Sequence, residues 1–441
     1  MLDSPAFLNV ETSVTGRRWT GPEPGQVRLG AAIAQSTGLP EIVGSILARR
    51  GIGPGEAAAY LAPALRDLLP DPSRLRDMDR AAARFLAAVK GRERIAIFAD
   101  YDVDGGAAAA LILAWLRALG ASATLYVPDR IEEGYGPNVP AMQALGARHD
   151  LIVCVDCGTL SHAPVAAAGC DVIVIDHHVG AETLPPAFAV VNPNRQDEDG
   201  ELGHLCAAAV VFLLLVAVNR LMRAEGSAGP DLLGLLDLVA LATVADVAPL
   251  VGVNRALVRQ GLRVMAQGLR PGVAALAAAA GMKGAPSTYG LGFVLGPRVN
   301  AGGRIGAADL GARLLATDDP HEAAALAARL DALNGERREI EAAVRAAAEA
   351  QAASRAGGTP GALVWAAGEG WHPGVVGIVA ARLKETFGRP AVVIGLHGRE
   401  GKGSARSVAG VDLGAGIARL VREGLIERGG GHRMAAGLTL S

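Results

Sequence analysis

Ile95-Ala-Ile-Phe-Ala-Asp100-Tyr-Asp102-Val-Asp104-Gly-Gly runs from five apolar residues into three carboxylates and then into the alanine-rich stretch that starts at Ala107. The apolar run has strand length, and the Ala- and Leu-rich segment behind it has helical composition. The same unit recurs outward from here. Ala123 to Pro128, Leu151 to Val155 and Val172 to Ile175 are further apolar runs, closed by Asp129, Asp156 and Asp176. Apolar runs alternating with helix-period segments predict parallel β/α units. Ligands of open parallel sheets bind beyond the carboxyl ends of the strands, so Asp100, Asp129, Asp156 and Asp176 are expected on the ligand-binding edge.

Farther out, residues 1–75 hold short elements broken by Gly and Pro and predict an N-terminal helical extension whose role is not legible. Helical segments dominate from Ala207 to Met282, interrupted by the acid-bearing Ala242-Thr-Val-Ala-Asp246-Val-Ala-Pro249. A long helix is expected from Ala307 to Arg355, broken near Asp318-Asp-Pro320. Strands near Ala362–Ala366 and Ala391–Ile394, with a helix from Val375 to Phe387, predict a second α/β lobe. The fold class is therefore α/β. A parallel-sheet lobe over 76–310 and a smaller α/β lobe over 358–441 are joined by a long connecting helix over 311–357.

A chain of 441 residues exceeds what one core usually serves, which agrees with two lobes. Hydrophobic residues make up 51% and aromatics 4%, so the core must be built from aliphatic side chains. The formal charge of -2 gives no global positive field, and any phosphate-binding surface must be local. The apolar run Leu205 to Val218 is shorter than the roughly 20 residues a membrane span needs and predicts a buried helix. The first ten residues lack a signal-peptide layout, so a cytoplasmic location is expected. Cys154 and Cys157 form a C-x-x-C, but Cys170 and Cys206 stand alone, so zinc or redox use is the weaker reading.

Three carboxylates in one loop repel each other unless cations lie among them, and an oxygen-rich cluster suits Mg²⁺ or Mn²⁺. The alternative is an acidic turn that caps the following helix. No G-x-G-x-x-G and no P-loop signature is present, which argues against dinucleotide binding and P-loop hydrolysis of nucleoside triphosphates. Asp176-His177-His178 offers a mixed oxygen and nitrogen ligand set that Mn²⁺ accepts. Gly429-Gly-Gly-His432 is a candidate anion nest or a hinge before the last strand. His372, ahead of a helix N-terminus, is a weaker candidate, and His149, His162, His204, His321 and His397 have no partner pattern.

Asp100-Tyr-Asp-Val-Asp-Gly, Asp156-Cys-Gly and Asp176-His-His, in this order on strand ends, resemble the first motifs of the DHH phosphoesterase family. Thr243-Val-Ala-Asp246-Val-Ala-Pro-Leu, Gly296-Pro-Arg-Val-Asn-Ala-Gly-Gly-Arg304-Ile-Gly and Gly430-Gly-His-Arg-Met-Ala-Ala-Gly437 are similar to its RecJ branch. The resemblance covers nearly the whole chain and implies a DHH lobe followed by a DHHA1 lobe. It implies two Mn²⁺ or Mg²⁺ ions on Asp102, Asp104, Asp156, His177 and Asp246, with Asp156 as the bridge and Asp100 and His178 adjacent. It implies that Arg130, Ser404 and Arg406 meet a terminal 5′ phosphate and that Arg298, Asn300 and Arg304 meet the scissile phosphate. Arginine suits both roles because its planar fork pairs with phosphate oxygens. His432 would be an added substrate contact.

The implied activity is metal-dependent 5′ to 3′ hydrolysis of single-stranded DNA to mononucleotides in DNA repair and recombination. The implied partners are single-stranded DNA, a helicase and a single-strand-binding protein, with no membrane and a monomeric state. A phosphodiesterase for short oligonucleotides or small nucleotides is the alternative. A non-catalytic nucleic-acid-binding relative is a third reading, against which the retained acids speak. Many relatives carry a polar or histidine residue where this chain has Phe98, which implies weaker metal binding. The hydroxyl residues usual after Gly105 are replaced by Gly106 and alanines, which implies a lost helix cap. RecJ proteins generally continue into an oligonucleotide-binding barrel where this sequence ends at Ser441, which implies a weaker grip on long DNA.

Overall fold

Two five-stranded sheets organise the chain in this computed structural model, which describes residues 5–130, 132–356 and 361–441. The first contains β1 (Ile95–Ala99), β2 (Thr124–Tyr126), β3 (Leu151–Val155), β4 (Asp171–Ile175) and β5 (Ala189–Val191), in the spatial order β2-β1-β3-β4-β5. Every neighbouring pair is parallel. β1 and β3 are buried along their whole length, as strands covered on both faces must be. β2 ends at Tyr126, short of the expected Pro128, because proline has no N–H to give the ladder. β5 is a three-residue strand that the sequence pattern does not announce.

The register aligns the strand ends. Ala99 pairs with Val155, Val155 with Ile175, and Ile175 with Val191. One residue later the backbone N–H groups of Asp100, Asp156 and Asp176 donate to the carbonyls of Val155, Ile175 and Val191 at 3.3, 2.9 and 3.0 Å. Three acids and Asn192 thereby stand side by side on one edge.

The helix Val103–Ala118 follows the acid loop, and its residues 103–112 are all buried. Its alanines allow close packing against the helices Ala207–Ala224, Leu236–Ala245 and Leu310–Ala316. The helix cap expected to be lost is present: Asp102 accepts from the N–H groups of Asp104 and Gly105 at 2.8 and 3.2 Å. Hydroxyl residues after Gly105 are not needed for it. The apolar run at Leu205 becomes a helix of 18 residues, Ala207–Ala224, whose first nine residues are all buried. It is long and apolar enough to cross a membrane by composition alone, and its burial accounts for that apolarity.

The expected connector is two helices, Leu310–Ala316 and the long Pro320–Ala356, separated where Thr317 leaves helical geometry ahead of Pro320. The second sheet runs β6 (Val364–Glu369), β7 (Ala391–His397), β8 (Glu400–Arg406), β10 (Ala435–Leu440) and β9 (Arg428–His432) in spatial order. β6 and β7 are parallel and the remaining pairs antiparallel. Gly429–His432 is therefore a strand paired with β10, neither the nest nor the hinge expected of it. The helix Pro373–Phe387 packs on this sheet around Val375, Val379 and Leu383.

Residues up to Pro70, together with Leu250–Arg259, form a separate compact unit. Its core is Ile33, Leu47, Ala48 and Ala57, packed by Leu29, Val43 and Tyr60. The guanidinium of Arg255 lies 3.8 Å from the centroid of the Tyr60 ring.

Candidate metal and phosphate site

Three side-chain groups on the carboxyl edge of the first sheet have the donors a divalent ion needs: Asp100 with Asp102 and Asp156; Asp104 with His177 and Asp246; and Asp156 with His177 and His178. Within each group the ligand atoms lie within 4.8 Å of one another. Asp156 and His177 each belong to two groups, so the three form one continuous cluster. His177 Nε2 lies 3.3 Å from Asp156 Oδ1, 3.7 Å from Asp104 Oδ2 and 3.8 Å from Asp246 Oδ2.

Burial makes this cluster electrostatically demanding. Asp100, Asp104 and Asp156 are at most 3% exposed. Desolvation, and then the charges of neighbouring acids, push Asp100 and Asp156 well above the usual carboxylate range. Asp104 is also raised, chiefly by burial, and burial pushes Asp246 up to about 8. Asp100 Oδ1 and Asp156 Oδ1 are buried without a hydrogen bond. Buried acceptors left unsatisfied are costly, and a cation among them removes both that cost and the mutual repulsion. Oxygen donors with one or two imidazoles fit Mn²⁺ or Mg²⁺.

The fold holds each donor in place. Asp104 accepts from the backbone N–H groups of Ala207 and Ala208 at the start of the helix Ala207–Ala224, at 2.6 and 2.8 Å. Asp156 has a φ of 61°, a left-handed conformation that Asp tolerates better than most residues. A Cβ on Gly105 would lie 2.5 Å from the carbonyl oxygen of Asp100, so only glycine lets the loop turn this tightly. Asp176 is no member of the donor groups. It accepts from the His177 and Thr159 N–H groups at 2.8 and 3.0 Å and pairs with His178 Nδ1 at 2.8 Å. The pairing with His178 and the Thr159 hydrogen bond hold Asp176 at about 2 despite burial, and His178 is raised to about 9 against its own burial. Asp129 binds Glu132 N–H in a turn, three residues beyond the end of β2.

Asn192, Asn194 and Tyr135 carry no motif and become visible only in the fold. Asn192 Nδ2 donates to Thr159 Oγ1 and to the His178 carbonyl, both at 2.8 Å, and Asn194 Nδ2 donates to the His177 carbonyl at 2.6 Å. The Tyr135 hydroxyl donates to the Asp156 carbonyl at 3.1 Å. A short strand followed by Asn-Pro-Asn is the only sequence signal for the first two.

The DHH family, N-terminal domain, matches residues 94–243, and the DHHA1 domain matches residues 359–441. The single-stranded-DNA-specific exonuclease RecJ of Salmonella typhimurium is 40% identical over 422 residues, which cover 91% of this chain and 72% of that protein. The chain belongs to the RecJ family. The crystal structure of RecJ from Thermus thermophilus in complex with Mn²⁺ matches with a TM-score of 0.79 at 33% identity, covering 95% of this chain and 59% of that one. The Mg²⁺ complex of the same protein matches with a TM-score of 0.71 at 32% identity, covering 95% of this chain and 57% of that one. This member thus spans less than two thirds of the Thermus chain.

Phe98, which departs from family expectation, and the C-x-x-C of Cys154 and Cys157 both have structural explanations. Phe98 points into an apolar cluster with Met142 and Cys154, and its ring packs 5.3 Å from that of Tyr126. Cys154 and Cys157 lie in the same cluster, and burial pushes both thiols up, so the C-x-x-C is core and not a zinc site.

The expected phosphate contacts separate into two sets. Arg130 and Ser404 line a cavity of about 490 Å³, with Tyr101, Tyr135, Gly374, Lys402 and Arg428 among its other walls. Arg406 donates to Ser404 Oγ at 2.9 Å. Burial lowers Arg406 and Arg304, the latter to about 10, and the charge of Arg130 lowers both further. Cations from both lobes therefore face one region. Arg304 also donates to the Gly374 carbonyl at 3.2 Å, which links the two lobes.

Arg298 is instead held by Asp331 Oδ1 at 2.7 Å and by the Val294 carbonyl at 2.8 Å. Asn300 accepts from Val103 N–H. His432 accepts from Met434 N–H at 3.3 Å through Nδ1 and is not part of the cavity wall.

Proposed function

We propose that this chain is a divalent-metal-dependent exonuclease that hydrolyses single-stranded DNA from the 5′ end to mononucleotides, in DNA repair and recombination. The observation that carries the reading is the buried cluster with two unbonded carboxylate oxygens, set beside a cavity whose cations come from both lobes. Asp102, Asp104, Asp156, His177 and Asp246 would hold two ions, with Asp156 shared and Asp100 and His178 adjacent. Two such ions, when bound, supply charge neutralisation at phosphorus and a water of lowered pKa.

The chain's own residues do the positioning. Arg130, Ser404 and Arg406 receive the terminal phosphate, and Arg304 neutralises the phosphate that follows. Asp176 orients His178 toward Asp156, and Asn192 and Asn194 hold the backbone of both histidines. Arg298, Asn300 and His432 support the site indirectly, since each is engaged within the protein. A cytoplasmic monomer that works after a helicase and beside a single-strand-binding protein fits this activity.

The cavity volume of about 490 Å³ also suits the second reading, a phosphodiesterase for short oligonucleotides or small nucleotides, because it lies within the range of small-ligand pockets. Hydrolysis of a 5′-phosphorylated 20-mer, the same 20-mer in a blunt duplex, and a dinucleotide distinguishes them. The exonuclease reading expects rapid release from the single strand and little from the duplex. Turnover of the dinucleotide alone overturns it in favour of the second reading.

A further inference from the structure

We infer that Tyr289 and Phe293 form a base-stacking platform that grips single-stranded DNA beside the metal cluster, an inference that rests on the phosphodiesterase reading above. The two rings stack with centroids 5.1 Å apart and planes inclined by 28°. Tyr289 is 68% and Phe293 72% exposed. Aromatic side chains make up only 4% of the chain, and the other aromatic ring pairs among the described residues lie in the core or at the histidines of the site. Two adjacent exposed rings give up much apolar area to water, which core packing does not explain.

Their position points to the strand of DNA as occupant. Phe293 belongs to a π-helical segment, Gly290–Leu295, and Tyr289 immediately precedes it. Such segments are rare and often mark functional sites. The segment runs directly into the helix Gly296–Ile305, which carries Asn300 and Arg304. Gly292 and Gly296 line a cavity of about 150 Å³ together with Ala245, Asn300, Arg304 and Arg337. A Cβ on Gly292 would sit 3.3 Å from Val244 Cγ1, so the backbone next to Phe293 packs on the last turn of the helix Leu236–Ala245, which Asp246 follows. Phe293 thus follows directly on a glycine of the cavity that Arg304 lines, which sets ring faces for bases next to an arginine for phosphates. Stacking of this kind is tolerant of sequence, because every base has a π-face.

The test is the KM for hydrolysis of a single-stranded 20-mer and of a dinucleotide with Mn²⁺, in the parent chain and in Tyr289→Ala and Phe293→Ala. The expected result is a KM raised roughly tenfold for the 20-mer in each variant, as loss of one base stack implies. The dinucleotide kinetics stay unchanged, and Tyr289→Phe and Phe293→Tyr keep the parent KM. An unchanged 20-mer KM in the alanine variants overturns the platform and leaves the phosphodiesterase reading standing. Equal losses on both substrates also overturn it, since they mark a general structural effect. A parent chain that cleaves neither substrate contradicts the phosphodiesterase reading itself and the platform with it.

Discussion

The side-chain oxygen of Asn300 accepts a hydrogen bond from the backbone N–H of Val103 at 3.0 Å, joining the helix Gly296–Ile305 to the acid loop. Val103 opens the helix that Asp102 caps, and its N–H has no partner within that helix. Asp102 satisfies the next two N–H groups, so side chains fix the whole turn that presents Asp100, Asp102 and Asp104. Gly303 makes the approach possible, because a Cβ there would lie 2.8 Å from Tyr101 Cβ.

Asn300→Ala should therefore act through the acids and not through substrate binding. Leaving a buried N–H unpaired costs about 1–3 kcal/mol, which lowers Tm. A kcat reduced by about tenfold or more, with a smaller change in KM, is expected, because small displacements of catalytic groups cost rate. Thermal melting and steady-state kinetics check it. A raised KM with unchanged Tm and kcat would place Asn300 on the phosphate instead.

Metal and proton should compete for the cluster. Asp246 is pushed up to about 8, and Asp100, Asp104 and Asp156 are raised with it. Unfolded carboxylates titrate near pH ~4, so above that pH the folded, metal-free chain holds protons that the unfolded chain has lost. Its stability should fall as pH rises from about 4 to about 8. Mn²⁺ displaces those protons, and its stabilising effect should be larger at about pH 8 than at about pH 5. Melting curves with Mn²⁺ or with chelator across this range measure both; a shift independent of pH contradicts the prediction.

Asp156→Asn removes one charge from a buried cluster of like charges. In chelator near pH ~8 it should stabilise the chain by about 1–4 kcal/mol, since an uncompensated buried charge is more costly than a neutral isostere. The Mn²⁺-induced rise in Tm should be lost at the same time. A variant destabilised in chelator would show that Asp156 is already compensated within the protein.

Val247 follows Asp246 in a left-handed conformation, with φ 59°, and is 85% exposed. The N–H groups of Val247 and Ala248 close the helix on the carbonyls of Val244 and Thr243, an arrangement that favours glycine at the position of Val247. A left-handed β-branched residue costs about 1–2 kcal/mol. Val247→Gly should raise stability by about 1 kcal/mol, read as a higher midpoint in urea. A lower midpoint would show that the side chain of Val247 makes a contact that outweighs the strain.

Much of the fold and of the acid edge was legible in the sequence. β1 and β3 match their expected limits, and three of the four aspartates stand together as the strand-end pattern predicts. Local patterning is sufficient there, since a buried parallel strand reads as a continuous apolar run. β5, β8 and β9 were not legible: one is three residues long, and the other two are rich in Gly, Lys and Arg. Their structure comes from backbone pairing with β4, β7 and β10, and not from an apolar pattern of their own. Equally illegible were the roles of Asn192 and Asn194, whose hydrogen bonds reach residues far away in sequence, and of Arg298, whose partner Asp331 lies on another helix.

Whether the acid cluster hydrolyses DNA is decided by release of labelled mononucleotide from 5′-labelled single-stranded DNA, by the parent chain and by Asp102→Ala and Asp156→Ala. Mn²⁺-dependent release by the parent is expected, abolished by chelator and reduced by roughly two to three orders of magnitude or more in both variants, the scale of losing a main electrostatic element of an active site. No release by the parent, or equal release by the variants, would contradict it.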